Sequence, residues 1–368
     1  MSTRTLKLKY AKTQTFEVAV VSTMSSGKST FINALIGEEL LPARNQACTA
    51  RTLAVLDNDL AESVTGHILF DNGNYERIED CTASEIASCL KKGNNDVADI
   101  IVECSIPGVR NIQRALLVTD TPGTNNSTDK THESITKAYL KALSSGLIIY
   151  IMNATQIGTD DEFALLTEIK ETLEHNPKLD ILFVLNKMDE VDTEKEPLSQ
   201  VVDNCNTYLT KIGFTKSTLL PTSALSTLLF RKALSGSVMS KKEVSDFTRL
   251  IEYFSSPALW LPMYAVFPNS GEHSPACKVG KQTYSRGELL FALENTGMPA
   301  IERAIETSMM QQLIKKAPDI SNPATIKKET EKAMAKPARK PGRHTKAIQQ
   351  IIPKTDKPSS TKKRERKK

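Results

Sequence analysis

Short apolar runs rich in β-branched residues alternate along this chain with segments of helical spacing. From Phe16 the sequence runs F-E-V-A-V-V-S, then switches in K-S-T-F-I-N-A-L-I (28–36) to apolar positions three and four apart, before Gly37 supplies a C-terminal stop. Further runs at 53–56, 64–70, 100–106, 115–119, 147–152, 181–185 and 218–220 read as buried strands, and 83–90, 130–143, 160–173 and 198–212 read as helices. Strands that alternate with helices predict an α/β fold with a mostly parallel sheet and helices on both faces. Ligands of such sheets sit in the loops at the carboxyl ends of the strands, so those loops carry the chemistry.

The first of them reads Ser22-Thr-Met-Ser-Ser-Gly27-Lys28-Ser29, the phosphate-loop pattern G-x-x-x-x-G-K-[ST] with Ser22 at its first glycine. Gly27 lets successive N–H groups point at phosphate oxygens, and the helix that starts there adds its positive end. Lys28 reaches the β- and γ-phosphates and the Ser29 hydroxyl ligates magnesium, while Ser25, Ser26 and Thr30 complete the expected nucleotide contacts. A second strand ends in Asp120-Thr-Pro-Gly123, which offers a carboxylate for Mg²⁺ and an N–H for the γ-phosphate. A third ends in Asn186-Lys187-Met-Asp189. There the Asp189 carboxylate can accept both N1–H and the exocyclic amine of guanine, Asn186 ties the loop to neighbouring backbone, and the Lys187 stem lies over the purine. Thr222-Ser223-Ala224 follows the last strand, with the Ala224 N–H aimed at the guanine O6. Four motifs in this order, each at a strand end, predict a P-loop domain that binds GTP with Mg²⁺.

The stretch L-P-A-R-N-Q-A-C-T-A-R (41–51), together with S-S-G-K-S-T-F-I-N-A-L-I-G (25–37), resembles the dynamin superfamily, in its bacterial dynamin-like branch. The resemblance runs from about Phe16 to Ile305 and ends at T-G-M-P-A-I-E (296–302), which looks like the helix that closes such GTP-binding domains. It implies that Thr49, with Thr52 as the alternative, is the switch threonine on magnesium and γ-phosphate. It also places Ser25 where the family keeps a small or polar phosphate-loop residue. The 92-residue separation of Lys28 and Asp120 fits the extra strands of this family. A stalk of the dynamin kind is not recognisable. The expectation is therefore a GTPase activated by face-to-face homodimerisation of its G domain and working with a stalk-bearing partner. Arg44 and Arg51 flank the switch as candidate charge stabilisers. Two other classes compete: an RNA- or ribosome-associated assembly GTPase, and a GTP-gated scaffold with negligible turnover.

Charge adds a tail to this picture. Residues 315–368 hold 18 Lys+Arg against 5 Asp+Glu, no aromatic residue and six prolines, whereas residues 1–314 hold 30 against 38. Such a tail lacks the apolar area to offset its ordering entropy and predicts a disordered polycation that seeks anionic membrane or nucleic acid through backbone phosphates. The expected division is an N-terminal segment 1–15, a G domain 16–312 and a basic tail 313–368. No apolar run approaches the roughly 20 residues of a membrane span, and the N-terminus lacks a signal pattern. The expected location is cytoplasmic, peripheral at membrane or nucleoid. Cys48, Cys81, Cys89, Cys104, Cys205 and Cys277 show no metal spacing and read as reduced thiols. His132 and His175 read as solvated surface, and the apolar patch around Trp260 as sheet-edge cover.

Overall fold

The computed structural model describes residues 15–42, 52–90, 97–111, 114–122, 130–215, 217–256, 277–279 and 282–316. Thr49, Gly123, Arg44, Arg51, Trp260 and the basic tail beyond 316 therefore lie outside the described residues, as does the N-terminal segment up to 14.

The strands are β1 (Thr15–Ser22), β2 (Thr52–Asp57), β3 (Thr65–Phe70), β4 (Tyr75–Ile78), β5 (Val97–Cys104), β6 (Ala115–Asp120), β7 (Gly146–Asn153), β8 (Leu179–Asn186) and β9 (Thr218–Pro221), with a separate two-stranded ribbon of β10 (Cys277–Val279) and β11 (Gln282–Tyr284). The helices are α1 (Lys28–Ile36), α2 (Ala83–Leu90), α3 (Lys130–Ala142), α4 (Asp160–His175), α5 (Leu198–Ile212), α6 (Ala224–Ser235), α7 (Lys241–Phe254), α8 (Arg286–Asn295) and α9 (Met298–Lys316).

Nine strands form one sheet in the order β4-β3-β5-β2-β6-β1-β7-β8-β9. From β6 to β9 every pairing is parallel, as expected for the half that carries the motifs. The other half corrects the expectation of a mostly parallel sheet, because β2 runs antiparallel to β6 and β3 antiparallel to both β4 and β5, while β2 and β5 are parallel. The reason at β3–β4 is loop length: residues 71–74, with Gly73 at φ 83°, make only a hairpin, and a parallel neighbour needs a long crossover. The sheet is mixed.

Both faces are covered. In β1 the side chains of Phe16, Val18 and Val20 join α1, α2, α6 and α9 in one core, while Ala19 and Val21 join α3, α4 and α5 on the opposite face. This double burial is why the strand reads as a continuous apolar run rather than an alternation. A third cluster packs α6, α7 and α8 around Phe230, whose ring meets Phe247 and Phe254 edge-on. Helix α7 starts at a capping box in which Ser240 and Glu243 satisfy each other's backbone N–H groups, and Ser285 with Glu288 does the same for α8.

One buried carboxylate marks the edge of β2. Asp57 is 1% exposed and accepts the Ile106 N–H at 2.8 Å; burial first, and then the neighbouring Asp59, lift it to about 7, against the Ile106 and Asn111 hydrogen bonds that favour the anion. The folded protein thus holds a proton between the unfolded value of 3.8 and about 7 that the unfolded chain has released. The stability that this proton contributes is complete below the unfolded value and lost as pH rises through about 7. Asp57→Asn keeps the acceptor without the charge. Melting of the two proteins from pH 5 to pH 8 is expected to diverge, with the variant ahead at pH 8 by on the order of 2 to 4 kcal/mol. Parallel curves would show that Asp57 does not titrate in this range.

Candidate functional site

The parallel register brings the motif strands to one rim: Val20 pairs with Asp120, Ser22 with Ile151, Asn153 with Asn186 and Leu185 with Pro221. The loops that follow β1, β6, β8 and β9 therefore open side by side.

The phosphate loop is held in a shape that other sequences resist. Ser25 has φ 62° and Gly27 φ 86°, both left-handed, and a Cβ on Gly27 would stand 2.5 Å from Asn186 Nδ2. Ser26 is buried, and its hydroxyl donates to Thr23 O at 3.0 Å, which closes the loop on itself. Gly27 at the N-cap of α1 has no side chain to occupy the first N–H groups of the helix, which leaves those donors for an anion. Ser29 and Thr30 lie half-buried in that first turn, and Ser25 is exposed. The Lys28 ammonium pairs with the Asp120 carboxylate at the tip of β6; the two side chains are 10% and 16% exposed.

Asn186, at the end of β8 and 2% exposed, joins two loops. Its Nδ2 donates to Ser26 O at 2.9 Å and its Oδ1 accepts the Ala224 N–H at 3.0 Å. This is the backbone tie that the sequence predicts for Asn186. The same amide engages the N–H of Ala224, the residue that opens α6. Lys187 sits at φ 67°, with its ammonium 3.2 Å from Glu190 Oε2. Asp189 lies in the single turn Met188–Glu190, where burial raises its pKa above the usual carboxylate range, against the opposing pull of Ser223 and Arg249 nearby. Met188, fully buried, anchors that turn by its N–H to Thr222 O at 3.2 Å.

Further residues serve the site without standing in its motifs' usual roles. Thr121 donates its hydroxyl to Val20 O at 2.8 Å and so fastens the loop after Asp120 to β1. Thr136 of α3 grips the same loop at Pro122 O, 2.9 Å away. Their signal in sequence is only a threonine beside a motif, which no pattern singles out. His175 is exposed, with Nδ1 2.6 Å from Glu171 O, as its surface reading requires. Among the described residues, Cys81, Cys89, Cys104 and Cys205 are free thiols, no cluster of His, Cys, Asp and Glu has the makings of a metal centre, and no helix is long and apolar enough to cross a membrane.

Residues 18–188 match the model of the dynamin family. A bacterial dynamin-like protein of Nostoc punctiforme is 30% identical over 186 residues, covering 48% of this chain and 25% of the relative. Two chains from a solved oligomerised bacterial dynamin pair, described as a mechanism for long-range sensing and tethering of membranes, align at 17% identity and TM-score 0.43. They cover 85% and 90% of this chain and 51% and 49% of their own lengths. The chain thus spans a quarter of the curated relative and about half of the solved chains.

Proposed function

We propose, from the premise that residues 18–188 are a dynamin-family domain, that this protein binds and hydrolyses GTP at the rim formed by β1, β6, β8 and β9. The observation that carries the reading is Asn186, whose amide spans from Ser26 of the phosphate loop to Ala224 of the last loop and so joins the phosphate end to the base end. In this reading the G domain runs over 16–312.

Ser25, Ser26, Gly27, Lys28, Ser29 and Thr30 hold the phosphates, largely through backbone N–H groups and the start of α1. The Lys28 ammonium is paired with Asp120, and a bound γ-phosphate would draw it away from that carboxylate. The Ser29 hydroxyl and the Asp120 carboxylate are hard oxygen donors, a set suited to Mg²⁺; they would hold it with Thr49 as a third ligand, and Gly123 would offer its N–H to the γ-phosphate. Bound there, Mg²⁺ would supply neutralising charge to the β- and γ-oxygens. The chain's own part is to hold the phosphates in line and to spread the developing charge over Lys28 and the loop N–H groups. Asp189, with Ser223 behind it and Lys187 beside it, selects the base.

Hydrolysis is proposed to rise when two G domains meet and order the segment around Thr49, and the complete machine to include a stalk-bearing dynamin-like partner. The basic tail 313–368 would bring this assembly from the cytoplasm to anionic membrane or nucleic acid. A tail so charged acts through phosphates, so binding to anionic vesicles should fall steeply with salt.

Asp189→Asn tests the base assignment. Xanthine carries a carbonyl where guanine carries an amine, so a carboxamide can donate where the carboxylate accepted. The variant is expected to lose GTP affinity by on the order of 100-fold or more and to gain XTP. Equilibrium binding of both nucleotides checks it; an unchanged preference for GTP would remove Asp189 from the site.

A further inference from the structure

The loop that carries Ser223 follows the shortest strand of the large sheet's parallel half. β9 has four residues, pairs among the described residues only with β8 and is at most half-buried, so the described sheet holds that loop from one side. The other side is supplied from a turn 74 residues beyond Thr222. Thr296 O, in the turn between α8 and α9, accepts the Ser223 N–H at 3.0 Å and the Thr222 hydroxyl at 2.8 Å.

The turn is itself fixed. The Thr296 hydroxyl donates to Leu293 O at 2.7 Å, and Thr227 Oγ1 lies 2.8 Å from both Thr296 Oγ1 and Ser223 O. Thr222, Ser223, Thr227 and Thr296 are all fully buried, so none of these bonds is shared with bulk water. Asn295 donates to Phe254 O at 2.8 Å and pins the turn to the end of α7. Gly297 has φ 80°, and a Cβ on it would stand 2.1 Å from Pro221 O, so the turn meets β9 at a distance only glycine permits. On its far side Thr222 O accepts the N–H of Met188, which opens the turn that carries Asp189, at 3.2 Å.

We propose that Thr296 is a positioning residue for base selection: through the Thr222–Ser223 segment and the Met188–Glu190 turn bonded to it, Thr296 sets the Asp189 carboxylate, and it makes the seating of α9 part of reading the purine. The inference rests on the guanine site described above. A turn displaced by even a few tenths of an ångström moves the acceptor relative to the two guanine donors while leaving the phosphate loop in place.

The discriminating probe is a pair of nucleotides that differ at one of those donors. IDP lacks the exocyclic amine of GDP, and a charge-assisted hydrogen bond to that amine favours GDP by about tenfold or more. Equilibrium binding of GDP and IDP to the full chain is measured for wild type, Thr296→Val, which is nearly isosteric but has no hydroxyl, and Thr296→Ser, which keeps it. The expected result is a GDP-to-IDP affinity ratio that collapses to within about threefold in the valine variant and returns with serine, because only a misplaced acceptor loses the distinction. A role confined to folding would weaken both nucleotides together and leave the ratio at its wild-type value, and that result would overturn the proposal. Thr227→Val, which removes the same contact from α6, gives the same comparison should Thr296→Val fail to fold. Wild type that binds neither nucleotide would defeat the guanine reading itself, whereas a wild type that favours GDP, with the ratio unchanged in both valine variants, defeats only the role of Thr296.

Discussion

Replacing Lys28 with alanine is expected to lower GTP turnover by about a hundredfold or more and to leave the fold standing. The first effect follows from where the charge is needed: phosphoryl transfer asks the protein mainly to neutralise oxygens, and the loop N–H groups alone cannot replace a full positive charge. The second follows from what holds α1, since Phe31, Ile32 and Leu35 are fully buried and owe nothing to the lysine. Loss of the pair leaves the Asp120 carboxylate, 16% exposed, in reach of water, a cost on the order of 1 kcal/mol. Phosphate release measured beside a melting curve separates the two. A variant that melts like wild type and still turns over GTP at the same rate would contradict the assignment.

Asn186→Ala is expected to damage both stability and nucleotide binding. It strands Ser26 O and the Ala224 N–H, two buried groups that have no water to turn to. Each uncompensated group costs about 1–3 kcal/mol, so a loss of roughly 2 to 5 kcal/mol is expected, alongside weaker binding of any nucleotide. The contrast with Lys28 is informative, because Lys28→Ala should separate catalysis from stability and Asn186→Ala should not. Denaturant unfolding and equilibrium GDP binding on the same preparation check it; a stability within about 0.5 kcal/mol of wild type would show that the two loops hold their places without the amide.

Much of this was legible in the sequence where local chemistry decides the outcome. Helices α1 and α5 begin and end where their patterns place them, and both stop at glycines, Gly37 and Gly213, that adopt the left-handed conformation a C-cap requires. The motif loops stand at the rim for the same reason: a strand-to-helix switch places its loop at a carboxyl end. Strand direction is another matter, since the apolar run of β2 reads the same whether its neighbour is parallel or antiparallel. Strand β4 escapes because Tyr75–Ile78 is exposed at its two middle residues and shows no buried face. Helix α6 is buried from Ser226 to Ala233 without interruption, between two cores, and so carries no one-sided pattern. Helices α7 and α8, which the apolar spacing does not reveal, carry S-x-x-E capping boxes at Ser240–Glu243 and Ser285–Glu288.

In the site the limit is of the same kind. Residue types were readable, and their partners were not, because those partners are set by juxtaposition across the fold. Asn186 meets Ser26 across 160 positions, and Thr296 meets Thr222 across 74. The bond from the Ala224 N–H to Asn186 Oδ1 is of the same kind, joining loops 38 positions apart.

The most direct test of a guanine-nucleotide hydrolase at this rim is magnesium-dependent phosphate release from GTP and from ATP by the full chain, across a series of protein concentrations. A rate confined to GTP that rises per protein with concentration is the predicted result. Equal release from both nucleotides, or none from either at any concentration, would contradict it.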